Sequence, residues 1–517
     1  MTVKRAAAMM AALLAGILAV ASCGGSTSGG TPAKTTLTVG IIQVPTSLDI
    51  TSDATASIAL MLRDNLYEGL VRADPAGGKV LPELAKSWDE SRDGTVWRFH
   101  LVTAKWSDGT DFTADDVKFS WDRARDKTTV PANPHPDYFA PIASIAVVDP
   151  HTVTVTLKQF SWNWLFHMAQ GSAAIVPKST HLVSAAGAPP ATELATKPVG
   201  TGPFKLEAYT PNVSLTLTRN DSYWGSQPKL KQVVFRFISD PNAMNNALKS
   251  GSIDAIAQVG GPEQLGEFKA DANFRVLIGA PGGKVIVGIN NLGGPLSDVR
   301  VRRALALAVD RKAWIQGVFS GYAVPIGSHS TPNDTEPYYV DTTGVNAYDP
   351  AQAKQLLAEA GHATGLTLHL AEITEFPYAV RGGDILASEL RAVGVNLQID
   401  TMTFNTWLHT VFLAPQNYEL TIINHVEPRD IGNYANPKYY WHYDNPTVAQ
   451  DLTQADAQLD ATQRNALYAT VQKQLATDAA NIFVMSPEQL DVIRANLKGY
   501  PEHRVSTALF LAGTYFG

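Results

Sequence analysis

The chain contains a single cysteine, Cys23, so no disulfide can cross-link one part of it to another. The remaining residues, 24–517, must therefore be stabilised by buried apolar surface. A composition of 45% hydrophobic and 17% charged residues is typical of a globular protein with such a core. A chain of this length corresponds to about three domain-sized units. The sequence thus predicts a large folded body that depends on packing alone.

The first residues have the layout of a secretion signal. Lys4 and Arg5 precede an uncharged run from 6 to 21 that ends in small residues. This run is shorter than the roughly 20 residues that a helix needs to cross a bilayer. No basic segment follows it to stop transfer. We therefore expect residues 1–22 to be a signal peptide rather than a membrane span.

The junction that follows, VASCG at 20–24, resembles the lipobox of bacterial lipoproteins. In that family the cysteine is alkylated with diacylglycerol and the chain is cut just before it. Residues 23–35, rich in Gly, Ser and Thr, would then form a flexible tether. The resemblance implies an anchor through Cys23 on the outer face of the cytoplasmic membrane, or facing the periplasm. The alternative is a secreted protein in which Cys23 is incidental.

Strand-like and helix-like segments alternate along the rest of the chain. Clusters of β-branched and apolar residues predict strands at 37–44, 96–101, 152–157, 213–218, 233–238, 285–289, 366–370 and 395–400. No short repeat is present, which disfavours solenoids and propellers. The mixture favours an α/β fold.

Capping residues mark several helix starts. A capping-box pattern at 113–116 opens one helix. A Ser-Asp pair at 297–298 opens a second, whose apolar face predicts that it continues to Gly317 or Gly321. An Asp-Pro pair opens a third, which covers 349–361 and ends at a glycine.

The charge pattern excludes some partners. The net charge is −7, and no block of Lys or Arg occurs. Nucleic acid and anionic lipid surfaces attract basic patches, so neither is an expected partner. After the signal, no segment of membrane-spanning length is free of charge.

In order along the chain, eight short motifs resemble one family. They are LYEGL at 66–70, LPELAKSW at 81–88, WSDG at 106–109, FTADDV at 112–117, GTGPF at 200–204, NDSYWG at 220–225, VRRAL at 301–305 and AVDR at 308–311. Each motif alone is weakly specific, but their joint order behind a lipobox is specific. The chain resembles the extracytoplasmic solute-binding proteins of peptide and nickel ABC importers, solute-binding family five, over nearly its whole mature length.

This resemblance implies an α/β, two-lobed fold of the periplasmic-binding-protein type II class, with mixed sheets flanked by helices and a ligand cleft between the lobes. Lobe 1 would comprise residues 36–285 and 487–517, with an extra subdomain at about 71–197. Lobe 2 would comprise residues 286–486. Two chain crossings between the lobes, near 285–290 and 483–487, would form a hinge.

Catalysis is not expected. The clustered carboxylates Asp108, Asp111, Asp115 and Asp116 would suit a hydrolase. At a turn and a helix start, however, aspartates more often accept hydrogen bonds from backbone N–H groups. The chain has neither a Gly-x-Ser-x-Gly nor a His-Glu-x-x-His motif, and the anchor consumes Cys23. We expect a protein that is not an enzyme and needs no cofactor.

The resemblance places the ligand site on a strand and loop in lobe 2. Relatives carry there a Gly-Trp pair and then an aspartate that pairs with a peptide's free amine, whereas this chain has Asn424 and His425 in place of Gly-Trp. Glu427 and Asp430 are the two candidates for holding a ligand cation. Arg429 is a candidate for gripping a ligand carboxylate. The alternative is an internal ion pair that stabilises the loop.

Aromatic and amide side chains are further candidates, because aromatic rings suit a cleft wall as well as ordinary core packing. These candidates are Trp407, Tyr434, Trp441, Tyr67, Asn290 and Asn291.

Direct metal binding is another possible use of the same loop. His425, Glu427, Asp430 and His442 offer imidazole and carboxylate ligands. The histidines show no close ligand spacing, so we predict no metal site.

Together these features imply a substrate-binding lipoprotein of an ABC importer. It would capture a peptide or peptide-like solute and deliver it to permease and ATPase subunits. It would act as a monomer, meet the membrane only through its lipid and bind no nucleic acid. Other cargoes of the same importer type are a nickel or other metal chelate, haem or an oligosaccharide. Outside that type, the alternatives are a secreted hydrolase and a signalling peptide receptor.

Overall fold

A twelve-stranded sheet runs through the computed structural model of the protein. The structure describes residues 34–53, 55–75, 77–126, 128–183, 191–333, 335–413, 415–504 and 508–517. The predicted signal peptide, the anchor Cys23 and nearly all of the predicted tether lie outside these residues. Within the described ranges, no helix has both the length and the apolar character needed to cross a membrane.

The strands alternate with helices along the chain. The first eleven are β1 (Thr36–Ile41), β2 (Val71–Ala73), β3 (Val80–Pro82), β4 (Ala85–Glu90), β5 (Val96–Leu101), β6 (Ile142–Asp149), β7 (Thr152–Leu157), β8 (Leu182–Val183), β9 (Ala191–Thr192), β10 (Phe204–Thr210) and β11 (Ser214–Arg219). The next are β12 (Gln232–Phe237), β13 (Ala255–Ile256), β14 (Phe274–Pro281), β15 (Lys284–Ile289), β16 (Ala323–Pro325), β17 (Leu366–Ile373), β18 (Val395–Met402), β19 (Leu420–His425), β20 (Ile482–Arg494), β21 (Leu497–Lys498) and β22 (Tyr515–Phe516).

The helices cover the faces of the sheets. They are α1 (Ala56–Leu62), α2 (Ala114–Arg125), α3 (Trp164–His167), α4 (Pro241–Ser250), α5 (Leu265–Ala270), α6 (Val299–Leu307), α7 (Arg311–Phe319), α8 (Pro350–Glu359), α9 (Pro377–Ala392), α10 (Phe404–Trp407), α11 (Pro446–Asp456) and α12 (Ala461–Thr477). The predicted α/β class is therefore confirmed.

The large sheet has the strand order β10-β11-β12-β1-β13-β20-β15-β19-β17-β18, and β14 and β16 also pair with β20. β1 runs parallel to β12 and β13, and β17 runs parallel to β18 and β19. The strands that pair with β20 are antiparallel to it. Two parallel sectors are thus joined by antiparallel pairing in one mixed sheet.

Strand β20 joins the two sectors. Its first half, 482–487, pairs with β15 and β16, and its second half, 488–494, pairs with β13 and β14. The two crossings expected at 285–290 and 483–487 therefore lie mostly on paired strands, β15 and β20. The division into lobes and the hinge itself stay predictions.

A second, four-stranded sheet has the order β4-β5-β7-β6 and packs against α2. The residues between them form an aromatic core around Trp97, Phe99, Trp121 and Trp164, each of which is almost fully buried. Phe99 and Trp121 meet edge to face with ring centroids 6.3 Å apart, a favourable arrangement for aromatic quadrupoles.

The acidic cluster at the start of α2 has structural roles. The capping box predicted at 113–116 is present, with the Thr113 N–H donating to Asp116 over 2.8 Å. Asp111 accepts from Lys105 over 2.6 Å at the preceding turn, and Asp115 accepts from Lys178 over 2.8 Å. These contacts support the capping interpretation over a pair of catalytic carboxylates.

One helix prediction is wrong. The segment expected to continue from Asp298 to Gly317 or Gly321 is two helices, α6 and α7. Asp298 caps α6 as predicted, but Asp310 starts a second helix because its carboxylate accepts from the N–H groups of Lys312 and Ala313. An N-cap residue within such a segment starts a new helix, while the helical spacing of the apolar residues continues across the break.

Candidate functional site

The large sheet has a cavity of about 300 Å³ at the carboxyl ends of its parallel strands. Its walls come from the segments that follow the parallel strands. These segments lie within 42–43 after β1, 258–262 after β13, 376–378 after β17, 404–412 after β18 and 423–427 at the end of β19. The turn between β14 and β15 and the middle of β20 complete it. Ligands of open α/β sheets commonly bind at this end of the strands. We call this space the central cavity.

One wall of the central cavity is aromatic and contains the predicted residue Trp407. Its ring stacks between Phe404, with centroids 5.8 Å apart at 18°, and Phe412, at 5.8 Å and 25°. Its indole N–H donates to the Thr421 hydroxyl over 2.8 Å. Trp407 is only 3% exposed, so it is held rigidly and offers apolar surface rather than a free polar group.

Strand β19 places the candidate residues Asn424 and His425 at the cavity. The backbone N–H of Asn424 donates to the Tyr378 hydroxyl over 3.1 Å, and its side-chain oxygen has no partner among the described residues. Gly283 of the facing turn leaves room for this side chain, because a Cβ there would lie 2.3 Å from the Asn424 amide oxygen. Asn424 therefore has a buried acceptor oxygen without a partner, next to Gly283 in the cavity wall.

Glu427 also lines the central cavity, and it borders a smaller pocket of about 50 Å³ on its other side. His135 lines both spaces as well. The Glu427 side chain is half-buried, and no described side chain forms a hydrogen bond or ion pair with its carboxylate. A half-buried carboxylate without a partner favours a cationic or hydrogen-bond-donating ligand.

Asp430, three residues further along, is fully engaged inside the protein. Its carboxylate lies 2.6 Å from the Lys284 ammonium, 3.0 Å from Nε2 of His329 and 3.1 Å from Nδ1 of His425. The Lys284 ammonium also donates to the carbonyl of Glu427 over 2.7 Å. We call Lys284, His329, His425 and Asp430 the buried ion network.

Electrostatics hold this network in one charge state. Burial alone would raise the pKa of Asp430, but His329 and Lys284 hold it well below its usual range. Burial alone would lower the pKa of Lys284, but Asp430 and Glu336 raise it above its ordinary value. Burial lowers the pKa of His329 to about 4, so its imidazole is neutral at pH 7. The network is therefore a salt bridge supported by His329.

Hydrogen bonds extend the network into the surrounding aromatic core. His425 Nε2 lies 2.9 Å from the Tyr440 hydroxyl, and His329 Nδ1 lies 3.3 Å from the Tyr434 hydroxyl. Asn481 donates to the same Tyr434 hydroxyl over 2.7 Å. The ring nitrogens of both histidines are thus engaged by protein groups.

The same cluster is the arrangement that most resembles a metal site among the described residues. One ligand atom from each of His329, His425 and Asp430 lies within 4.8 Å of the others. Lys284 already places a positive charge on Asp430, so a cation there would have to displace the ammonium. His442, which the sequence also offered as an imidazole ligand, is outside the cluster, with Nδ1 3.2 Å from the Pro437 carbonyl.

Arg429 connects the loop to residues elsewhere in the structure rather than to the cavity. Its guanidinium lies 4.2 Å from the ring centroid of Trp162 and 3.9 Å from that of Phe166. It donates to the carbonyls of Thr335 over 2.8 Å and Gly78 over 3.2 Å. Burial lowers its pKa to about 10. Cation–π contacts of this kind stabilise packing between segments.

Tyr434 and Trp441 lie in the buried core beneath the network. Their rings stack with centroids 4.4 Å apart at 18°, and both side chains are at most 1% exposed. Neither lines the central cavity. They support His329, which meets both rings edge to face.

The remaining three candidates also lie outside the cavity lining. The Tyr67 hydroxyl donates to the Leu48 carbonyl over 2.9 Å, and the side-chain amide of Asn290 donates to the Tyr418 carbonyl over 3.0 Å. The Asn291 amide donates to the carbonyls of Ile289, Trp441 and Ala480. All three side chains hydrogen-bond to backbone carbonyls, mostly of residues distant in the chain, and a ligand role for them stays a prediction.

Several cavity residues were not predicted from the sequence. They include Gln43, His135, Gln258, Tyr378, Glu488 and Arg504. Most come from short segments that are far apart in the chain, so no local pattern connects them. Two of them could have been found from the sequence. Tyr378 lies in the first turn of a helix that follows a parallel strand, and His135 lies between two prolines in a loop.

Comparison with known proteins gives a consistent result. A sequence model described as bacterial extracellular solute-binding proteins, family 5, middle, matches residues 79–426. The chain is 29% identical over 477 residues to the dipeptide-binding protein of Escherichia coli K12, covering 84% of this chain and 86% of that one. It is 30% identical over 435 residues to a putative ABC transporter peptide-binding protein of Brucella ovis, covering 80% of each.

Similarity to solved structures extends over nearly the whole chain. The periplasmic binding protein AgaA of A. tumefaciens R10, solved with agropinic acid, superposes with a TM-score of 0.82 at 26% identity. The match covers 93% of this chain and 99% of that one. The fold is therefore that of a periplasmic binding protein.

Proposed function

The chain belongs to the bacterial extracellular solute-binding proteins of family 5, and from that membership we propose that it captures a small peptide or peptide-like solute for an ABC importer. Proteins of this family bind solutes and are not enzymes. The central cavity carries the proposal, because it combines aromatic walls with a few polar groups at the strand ends.

The choice of a peptide-like cargo rests on similarity and on size. Both sequence relatives described above are named for peptide binding, while the structural relative holds an opine. A cavity of about 300 Å³ is at the small end of ligand pockets, which typically span about 300–1,000 Å³. A peptide of two or three residues suits this space better than a long oligopeptide.

Closure of two lobes would enclose the solute. We assign residues 36–285 and 487–517 to lobe 1 and residues 286–486 to lobe 2, with the hinge at β15 and β20. Walls from both assigned lobes support this, since Gln258 lies in the first and Trp407 in the second. A ligand that touches both walls favours the closed form and shifts a pre-existing equilibrium toward it.

Delivery requires that the loaded protein reach a permease. We propose that Cys23 carries a lipid that holds the folded body near the membrane, facing away from the cytoplasm, since tethering raises the effective concentration at a membrane partner. Cys23→Ser should release the protein from membranes and leave its solute affinity unchanged. Loss of solute binding by the released protein would show that the anchor and the binding site are not separate.

Titration calorimetry of the folded protein without its signal peptide tests the proposed cargo. Di- and tripeptides are the main probes, with an opine, a nickel–histidine complex, haem and an oligosaccharide as comparison solutes. Peptides should bind with a negative heat-capacity change as apolar surface is buried. Binding of only one of the comparison solutes would replace the peptide assignment, and binding of none would remove the proposed function.

A further inference from the structure

One short segment beside the four-stranded sheet contacts residues that are far away in the chain. Residues 161–166 follow β7 and run into α3. Their partners are side chains of the loop after β19 and of the helices α11 and α12. We call residues 161–166 the crossing segment. None of its residues lines the central cavity.

Asp456, the last residue of α11, holds the start of the crossing segment. Its carboxylate accepts from the Ser161 hydroxyl over 2.6 Å and from the Asn163 backbone N–H over 3.0 Å. Its backbone carbonyl accepts from the Trp162 N–H over 2.8 Å. The Asn163 side-chain amide donates to the Tyr468 hydroxyl of α12 over 2.9 Å. Hydrogen bonds therefore join the segment to both helices.

The Trp162 ring packs against two arginines. Its centroid lies 4.2 Å from the guanidinium of Arg429 and 4.5 Å from that of Arg464. Arg429 also lies 3.9 Å from the ring centroid of Phe166. Both arginines are buried, with 7% and 8% of their surface exposed. Cation–π contacts are strongest where water is excluded, so Trp162 makes the main contact of the segment.

The composition of this contact suits one that separates and forms again. Its groups are mostly polar or charged, whereas the cores on either side are apolar. Contacts between domains that move are more polar than the cores of those domains. Asn163 Oδ1 and Arg464 Nε are buried without a partner among the described residues. Water would reach both atoms if the segment withdrew, which lowers the cost of separation.

Arg429 links the crossing segment to the central cavity. It lies between Glu427, in the cavity wall, and Asp430, in the buried ion network. The loop that lines the cavity therefore rests on the crossing segment through the arginine between these two acids.

We infer that the crossing segment is a clasp that closes on α11, α12 and Arg429 around an enclosed solute, and that its strength sets how long the solute stays. The inference rests on the proposed function, which assigns the segment to lobe 1 and its partners to lobe 2. Opening of the lobes has to separate these contacts. Because release follows opening, weaker contacts raise the dissociation rate of the solute.

Release of radiolabelled Leu-Phe, measured after dilution into unlabelled Leu-Phe, tests the clasp. Trp162→Leu should raise the dissociation rate about tenfold, because two cation–π contacts are lost. Asp456→Asn should raise it about threefold, since hydrogen bonds to its carboxylate become weaker. Trp88→Leu is the matched control, because Trp88 is a half-buried tryptophan on β4 that packs on Phe99. Its dissociation rate should equal that of the wild type.

Hydrogen exchange tests whether the contact opens while the protein stays folded. In the ligand-free protein, the backbone N–H groups of Trp162 and Asn163 should exchange about a hundredfold faster than those of β7, which report global unfolding. Leu-Phe should slow their exchange, although neither residue lines the cavity. Asp456→Asn should speed it.

The outcomes separate this inference from the proposed function. If folded Trp162→Leu releases Leu-Phe at the wild-type rate, peptide capture stands and the clasp is wrong. If the N–H groups of Trp162 and Asn163 exchange as slowly as those of β7, the contact opens only on unfolding, and the clasp is wrong whether or not a peptide binds. If Leu-Phe and other small peptides do not bind, the proposed cargo is wrong, and fast exchange that Asp456→Asn speeds further supports the clasp by itself.

Discussion

The central cavity and the buried ion network share one loop, and the two carboxylates of that loop have opposite surroundings. Asp430 meets Lys284, His329 and His425 within 3.1 Å, whereas Glu427 has no partner among the described residues. Both are acids next to the same strand. The difference shows that the type of an acid and its place in the sequence do not determine whether its carboxylate has a partner inside the protein.

The largest difference in stability should come from removing the negative charge of each of these two acids in turn. Asp430→Asn should lower the free energy of unfolding by about 3–5 kcal/mol, because it leaves the Lys284 ammonium buried without its counter-charge. Glu427→Gln should change it by less than about 0.5 kcal/mol, since that carboxylate has no partner to lose. Urea unfolding of both variants measures the contrast. Equal destabilisation by the two substitutions would mean that Glu427 is part of the network.

The network should also make stability depend on pH. The pKa of His329 is about 4 in the folded protein, against about 6.5 in an unfolded chain, so the unfolded state binds the proton more readily. Stability from this group is present above pH 6.5 and is lost as pH falls toward 4. Between pH 7.5 and 4.5 the loss should be about 2–3 kcal/mol, by linkage.

His329→Gln tests this dependence, because glutamine does not titrate. The variant should be less stable at pH 7.5 but should lose less stability between pH 7.5 and 4.5 in urea unfolding. A pH dependence identical to that of the wild type would show that His329 is not responsible.

The interaction energy between Lys284 and Asp430 can be measured directly, and it should be smaller than the effects above. In a double-mutant cycle, Lys284→Met and Asp430→Asn should couple by about 1–3 kcal/mol, because their charged groups are in direct contact. The same cycle with Lys284→Met and Glu427→Gln should couple by less than about 0.5 kcal/mol, since the Lys284 ammonium bonds the backbone carbonyl of Glu427 and interacts with its carboxylate only as a more distant charge. Similar coupling in both cycles would remove the distinction between the two acids.

Much of the fold could be predicted from local sequence signals. The capping box at Thr113, the Asp349 cap and the positive φ of Gly361 all act within a few residues of the position they determine. Strand positions followed from β-branched runs such as that of β7. The α6–α7 division was missed because Asp310 reads as an ordinary polar position in an apolar periodic segment.

The candidate site was harder to predict from the sequence, because it depends on contacts between residues that are distant in the chain. The loop 424–430 was predicted as the ligand region, and Asn424, His425 and Glu427 do line the cavity. Lys284 meets Asp430 only because β15 and β19 pair in a particular register, with Lys284 opposite His425. The internal ion pair, weighed from the sequence as an alternative, is what the structure shows for Asp430.

Native mass spectrometry of the protein purified without refolding tests the central claim most directly, because a closed binding protein often retains its cargo. We expect a fraction of the wild-type protein to carry one small peptide or peptide-like solute, and we expect Glu427→Gln to retain less of it while remaining folded. A bare protein that also gains no mass when titrated with small peptides would contradict the account.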